Sequence, residues 1–441
     1  MSLAAATRYH VGYTAIGRTL LRIERLRAER TMRQGGWWRD DDLSPPLGTS
    51  PRLKELISRH YLKGRYASGH RPVAWVTSGA PVEFLAALDY FLLYPENHGA
   101  VCGIRRTAEK ISGHAEAAGY SQDLCSYART DIGSVISGET PVGRLPPPDL
   151  LVCCTNICQT VLYWYRVLAD HFGVPLIVID TPFVYDKAGG HALAFVEAQI
   201  ETAIEVAERV AKRDLSMSRL TEVTRLSRDA IELWSQVLAR GRRKPAPITA
   251  FDEFIHMAPI VEMRGEAFTV DYYRALLAEL DDRIAAGVGA LKSERRRLVW
   301  DNLPVWHRLR WLSKRLASRG VALVASTYTN AWAELREMID PANPLRSAAR
   351  AYIHPILNQG TGHKLDVMRQ MAQDYEADGV ILHSDRSCKP YSIGQIDQRE
   401  RLGRLAGVPA MLLDADHNDP RSFSEEQVAN RLDAFLEMID A

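Results

Sequence analysis

Between Asp149 and Asp180 the chain writes a strand, a loop, a helix and a second strand in immediate succession. Asp149–Cys154 reads DLLVCC, a short apolar run rich in residues that favour strands. Gln159–Phe172 (QTVLYWYRVLADHF) has helical periodicity, Gly173-Val174-Pro175 breaks it, and Leu176–Asp180 reads LIVID. Two strands joined through a helix lie side by side in a parallel sheet, with a right-handed crossover. That unit commits this part of the chain to an α/β fold.

The same alternation recurs on either side. Pro72–Thr77 (PVAWVT) reads as a strand, and the run from Val82 to Leu93 reads as a helix with Pro81 at its first turn. A long helical zone runs from about His191 to Ala239, interrupted by Lys244-Pro-Ala-Pro, and another covers Thr269 to Ala286. Strands are then expected at Arg297–Trp300, Val321–Ser326, Gly379–His383 and Val408–Leu413. Helices are expected over Trp311–Ser318, Leu365–Ala377, Tyr391–Leu405 and Ser424–Met438. The reading is α/β: two parallel-sheet, Rossmann- or flavodoxin-like domains with added N-terminal and inter-domain helices. The expected divisions are a helical segment 1–68, an α/β domain 69–200, a helical connector 201–294 and a second α/β domain 295–441. Trp37–Pro51 reads as a loop, and Met1–Gln34 as an amphipathic helix, since it carries Glu24 and Glu29 and lacks an apolar leader core.

Composition narrows the function. With 55 Lys+Arg against 54 Asp+Glu, the formal net charge is +1, which argues against a nucleic-acid-binding or membrane-coating surface. No apolar run approaches the ~20 residues of a membrane span. Six cysteines in 441 residues are too sparse for a secreted disulfide scaffold, and a cytoplasmic enzyme or binding protein is expected. No G-x-x-x-x-G-K-[ST], G-x-G-x-x-G after a strand, H-E-x-x-H or G-x-S-x-G occurs. Gly360-Thr-Gly-His-Lys364 resembles a P-loop in composition only. Trp37-Trp38 and Tyr163–Tyr165 read as helix packing, and Arg242–Lys244 and Arg295–Arg297 as solvated faces.

Ligands of open parallel sheets bind beyond the carboxyl ends of the strands. Ser78 follows PVAWVT, Cys158 follows DLLVCC, Cys388 follows GVILH, and Cys125 stands near an expected helix start. Three cysteines in loops of two domains could converge in a cleft, although scattered single cysteines are a weaker sign than a C-x-x-C pair. Cys102, Cys153 and Cys154 read as small core hydrophobes. A structural zinc site on the loop cysteines is the bland alternative.

Several segments carry a family resemblance. Tyr94–Asn97 (YPEN), Gly119–Arg129 (GYSQDLCSYAR), Pro148–Cys158 (PDLLVCCTNIC), Leu176–Thr181 (LIVIDT), Asp378–Lys389 (DGVILHSDRSCK) and Asp414–Phe423 (DADHNDPRSF) resemble the 2-hydroxyacyl-CoA dehydratases. That family also contains the ATP-dependent benzoyl-CoA reductases. The resemblance runs from about Arg71 to the C-terminus. It implies a [4Fe–4S] cluster on Cys125, Cys158 and Cys388, with one iron site left open. It implies that Ser78 hydrogen-bonds the open-site ligand and that Glu96 is an acidic group beside it. The reductases tend to lack the Ser78 feature, which favours a dehydratase. Asn330-Ala331-Trp332, where some dehydratases place a His before Ala-Trp, is a departure.

The implied chemistry has a physical rationale. The β-hydrogen of a 2-hydroxyacyl thioester is barely acidic, and general-base catalysis contributes only ~10²–10⁴-fold. In the family the substrate first takes up one electron to form a ketyl radical anion, which lets the 2-hydroxyl leave and acidifies that hydrogen. The implied partners are the acyl-CoA substrate, a homologous second subunit or a second copy, and an ATP-dependent iron–sulfur activator. Reduction of an aromatic acyl-CoA, or a non-catalytic electron-transfer role, are the rival expectations.

Overall fold

The computed structural model describes residues 3–34 and 40–440; Trp37 and Trp38 lie outside them. Among the described residues, eight strands form two four-stranded, all-parallel sheets. The first holds β1 (Val73–Val76), β2 (Phe91–Leu93), β3 (Leu150–Cys154) and β4 (Leu176–Ile179) in the order β2-β1-β3-β4. The second holds β5 (Arg296–Asp301), β6 (Val321–Ser326), β7 (Gly379–Asp385) and β8 (Ala410–Ala415) in the order β6-β5-β7-β8. The two orders are equivalent. In each sheet the chain reverses direction beside its first strand, and that reversal opens a crevice at the strands' carboxyl ends.

Several elements depart from the reading of the sequence, and the expected helix Tyr391–Leu405 is split into Lys389–Ser392 and Gln395–Ala406. The helix expected from Val82 to Leu93 covers only Glu83–Ala87. Asp89 takes φ +65°, turning the chain, and Phe91–Leu93 becomes edge strand β2, pairing parallel with β1. The run is apolar throughout, so periodicity does not separate a buried edge strand from a helix turn. The long helical zone is two helices, Gly190–Ala211 and Met217–Arg240, parted where Lys212 takes φ +52° and restarted by Ser216, whose hydroxyl accepts from the Arg219 amide. The N-terminal segment is helical through Leu3–Arg33, including a π-helical stretch Tyr9–Gly17.

Buried tryptophans tie these parts together. Trp75, Trp234 and Trp300 are almost fully buried, and each indole N–H finds a carbonyl: Pro146, Thr329 and Leu303 at 2.9, 2.9 and 3.1 Å. The Trp234 bond fastens the connector helix Met217–Arg240 to the segment following β6.

Arg264 is a second such tie, 3% exposed. Its guanidinium donates to Ala80 O at 2.7 Å, Val261 O at 3.0 Å and Tyr352 Oη at 3.1 Å, and lies 3.4 Å from the Glu83 carboxylate. It also sits 4.5 Å over the Trp332 ring. Removing it strands the buried Glu83 charge and two carbonyls. Arg264→Met should therefore lose about 3–5 kcal/mol of stability in urea unfolding, whereas a surface change such as Arg369→Met should stay within ~0.5 kcal/mol.

Candidate functional site

One cavity of ≈ 170 Å³ lies between the two sheets and gathers Ser78, Glu96, Cys125, Cys158 and Cys388 on a mostly apolar wall. Its placement follows from the topology. Ser78, Glu96, Cys158, Leu303, Tyr328, Cys388 and His417 all line it, and each stands within about four residues of the carboxyl end of a strand: β1, β2, β3, β5, β6, β7 and β8 respectively. Cys125 reaches it differently, as the residue capping the start of the helix Ser126–Ser137.

The three cysteines are free, and all are partly exposed toward the cavity. Burial pushes the Cys158 thiol up to about 12, and the Cys388 thiol is raised as well, first by burial and then by Asp385, Cys125 and Cys158 nearby. Cys102, Cys153 and Cys154 are wholly buried and line no part of this cavity. Gly79 lets the loops after β1 and β3 approach. A Cβ there would lie 2.7 Å from Ile157 Cγ2 and 2.9 Å from Asn156 Oδ1, displacing the turn that carries Cys158.

Glu96 stands in the first turn of the helix Pro95–Ile104 and is 7% exposed. Its Oε1 accepts the Ser78 amide at 3.1 Å, while Oε2 is buried without a partner. Burial raises this carboxyl to about 7, against the lowering effect of its hydrogen bonds. A carboxyl at that value, with one oxygen unpaired, can take up or release a proton near neutrality.

Sequence reasoning missed the network that holds the cysteines in place. Ser126 and Ser387 each adjoin a cysteine on opposite domains, and the Ser126 amide donates to Ser387 Oγ at 3.1 Å. Ser126 Oγ donates to Asp416 Oδ1 at 2.6 Å and meets His417 Nε2 at 2.9 Å. His417 Nδ1 bonds Asp385 Oδ2 at 2.7 Å. With its one proton given to Asp416, the Ser126 hydroxyl accepts from Nε2. Both ring nitrogens of His417 are then donors, the pattern of an imidazolium. Burial works to lower the pKa of His417, but Asp385 and Asp416 outweigh it and hold it well above the ordinary value. Cys125 lies near enough to His417 to add to this raising effect. The available signal was position: Asp416-His417 directly follow the end of β8, inside a segment already singled out for its resemblance.

Asn330 does not line the cavity, although Ala331 and Trp332 do; its amide donates to Glu334 at 2.8 Å.

Two α/β sheets meeting over a crevice of cysteines define a class that comparison makes specific. The model of the family described as "2-hydroxyglutaryl-CoA dehydratase, D-component" matches residues 77–439, and the chain belongs to that family. The chain is 31% identical over 392 residues to the (R)-2-hydroxyisocaproyl-CoA dehydratase alpha subunit of Clostridioides difficile, covering 88% of this chain and 95% of that one. It is 30% identical over 385 residues to the lactoyl-CoA dehydratase subunit alpha of Anaerotignum propionicum, covering 84% and 91%. It is also 30% identical over 405 residues to a subunit of the benzoyl-CoA reductase of Thauera aromatica, covering 88% and 94%. No helix among the described residues is long and apolar enough to cross a membrane.

Proposed function

We propose that this chain is the cluster-bearing subunit of a cytoplasmic, oxygen-sensitive (R)-2-hydroxyacyl-CoA dehydratase, which removes water to give a 2-enoyl-CoA. The observation that carries the reading is the gathering of Cys125, Cys158 and Cys388 with Ser78 and Glu96 on one cavity. Three thiols on a partly enclosed apolar wall suit a [4Fe–4S] cluster with one iron left for a non-protein ligand. Burial keeps the thiols of Cys158 and Cys388 protonated, and a bound metal would deprotonate them. When bound there, such a cluster supplies a Lewis-acidic open site for the departing hydroxyl.

The chain's own residues do the rest. Ser78 positions the substrate oxygen by hydrogen bonding. The apolar wall, including Leu303, Tyr328 and Trp332, excludes water from the acyl chain. The substrate takes up one electron from an ATP-dependent iron–sulfur activator and becomes a ketyl radical anion with an acidified β-hydrogen. Glu96 removes that proton through Oε2 and can hand it to the departed hydroxide as water; the radical anion that remains then releases the added electron, which is recovered for the next turnover, and becomes the neutral 2-enoyl-CoA. A homologous second subunit or a second copy completes the assembly; four of the matched relatives are named as alpha subunits.

Because burial raises the Glu96 carboxyl to about 7, its basic form appears only as pH rises through that value. Dehydration rates should rise across pH 6–8 with a midpoint at about 7 and then level off. Glu96→Gln should flatten this limb and lower turnover by ~10²–10⁴-fold with unchanged iron content. A Glu96→Gln enzyme retaining both rate and profile would remove Glu96 from the mechanism.

A second reading, reduction of an aromatic acyl-CoA, draws on the relative from Thauera aromatica and on Asn330. Anaerobic assays with activator, ATP and a low-potential reductant separate the two. The first reading requires 2-hydroxyacyl-CoA to be dehydrated, and benzoyl-CoA reduction without dehydration would replace it.

A further inference from the structure

Behind the wall of the site lies a second cavity, of ≈ 280 Å³, enclosed in part by the N-terminal helices. The two cavities share a partition: Met257 and Val261 face the first, while Glu262 and Met263 face the second. The family match begins at residue 77, so the helices that roof this second cavity lie outside it.

Its lining is cationic. Arg18, Arg59, Lys63, Arg71 and Arg219 line it, apart from Arg264, whose pairing with Glu83 is already described. Three acids face them. Glu266 lies 3.8 Å from Lys63, and Asp89 lies 3.2 Å from Arg71. Glu262 accepts from Tyr61 Oη at 3.0 Å, and burial raises its carboxyl to about 7, which reduces its negative charge at neutral pH. Arg18, Arg59 and Arg219 form no ion pair within 4.0 Å among the described residues. Their charge is therefore in excess.

Two details show a built site rather than a solvated face. Arg59 is oriented from two sides: its Nε donates to Tyr13 Oη at 3.0 Å, and its guanidinium lies 5.2 Å over the Phe268 ring. Among the described residues its outer nitrogens make no hydrogen bond, so the fork is free for an incoming acceptor. The Nε of Arg71 is buried without a hydrogen-bond partner, which is costly unless an acceptor arrives. Guanidinium forks match phosphate oxygens in bidentate geometry.

We propose that this cavity binds a diphosphate-bearing ligand, held by Arg59 and Arg71 with Arg18 and Arg219 at its rim. The same chemistry could come from the head of a CoA thioester or from a free nucleotide. The inference stands apart from the iron–sulfur reading, because the cavity contains none of the three cysteines.

The test is titration calorimetry of the iron-free full chain with sodium pyrophosphate, ADP and CoA in turn. One saturable site is expected, weakened at high salt. Arg59→Gln should weaken it about tenfold or more, as one charge-assisted bidentate contact is lost. Arg18→Gln, at an exposed position that leaves the fold intact, should weaken it by a smaller factor. Tighter binding of CoA than of the other two probes would assign the site to the CoA head. Equal or tighter binding of ADP would assign it to a free nucleotide. No saturable binding of any of the three probes would overturn the proposal, as would affinities unchanged in both variants.

Discussion

Anaerobic reconstitution of the native chain should yield about four iron and four sulfide per polypeptide, with broad visible absorbance, and Cys125→Ala, Cys158→Ala or Cys388→Ala should each reduce iron to below about one. The steepness follows from the number of ligands. In the proposed cluster one iron is left to a non-protein ligand, so losing a thiolate would leave only two, and among the described residues no other cysteine lines the cavity to replace it. Cys102→Ala, Cys153→Ala and Cys154→Ala are the controls. These three are wholly buried, two of them in β3, so their loss should lower stability modestly and leave iron content unchanged. Zinc in place of iron and sulfide would convert the site to a structural one. Full iron retention in any of the three cavity variants would remove that residue from the ligand set.

The second large effect concerns the junction that brings the cysteines together. Arg129 stands one helical turn after Cys125 and is 1% exposed. Its guanidinium bonds Glu116 at 2.6 Å and Asp419 through two nitrogens at 3.1 Å each. Arg421 closes the cluster onto the same two carboxylates, at 2.6 Å each. Arg129→Met should cost about 1–3 kcal/mol in urea unfolding of the metal-free chain, because Asp419 and Glu116 lose their most buried cation and keep only the more exposed Arg421. It should also impair reconstitution, since the Asp419 amide donates to Asp416 Oδ1 at 2.9 Å and Asp416 in turn bonds Ser126, the neighbour of Cys125. A variant unfolding at the native urea concentration would show that the junction does not couple the domains.

The same cluster sets a pH dependence. Arg421 first, then Arg129, hold the Glu116 carboxyl below its ordinary value. For Asp419 burial works upward, but Arg421 and Arg129 outweigh it and the value is again lowered. A lowered carboxyl contributes stability above its unfolded pKa of ~4, and that contribution disappears as pH falls through the folded value. Acid unfolding of the native chain should therefore steepen below pH ~4. In Arg129→Met that component should shrink.

Much of the site was legible before any fold was known. Strand-end logic placed Ser78, Cys158 and Cys388 near a crevice, and the helix-start position placed Cys125 near them. The roles proposed for these residues and for Glu96 came only with the family resemblance. The short run Phe91–Leu93 was misread because three apolar residues carry no period. His417 and Asp385 went unread for a different reason. They sit 32 residues apart, and Ser126, which meets His417 from the other side, lies 291 residues from it, so no local pattern links them.

By itself, then, the sequence determined two things about this protein. Short β-rich runs alternating with helical periodicity made two parallel sheets, because parallel strands need crossovers of that length. Cysteines just beyond those runs were also set at the sheets' open edge. The tertiary structure alone decided which groups face one another there. It paired Ser126 with Ser387 over 261 positions and aligned Arg129 with Asp419 over 290. It also folded the N-terminal helices over a cationic cavity whose arginines look ordinary in line. Local free energies select strands and helices, whereas hydrogen bonds between distant groups exist only after packing has excluded water from between them.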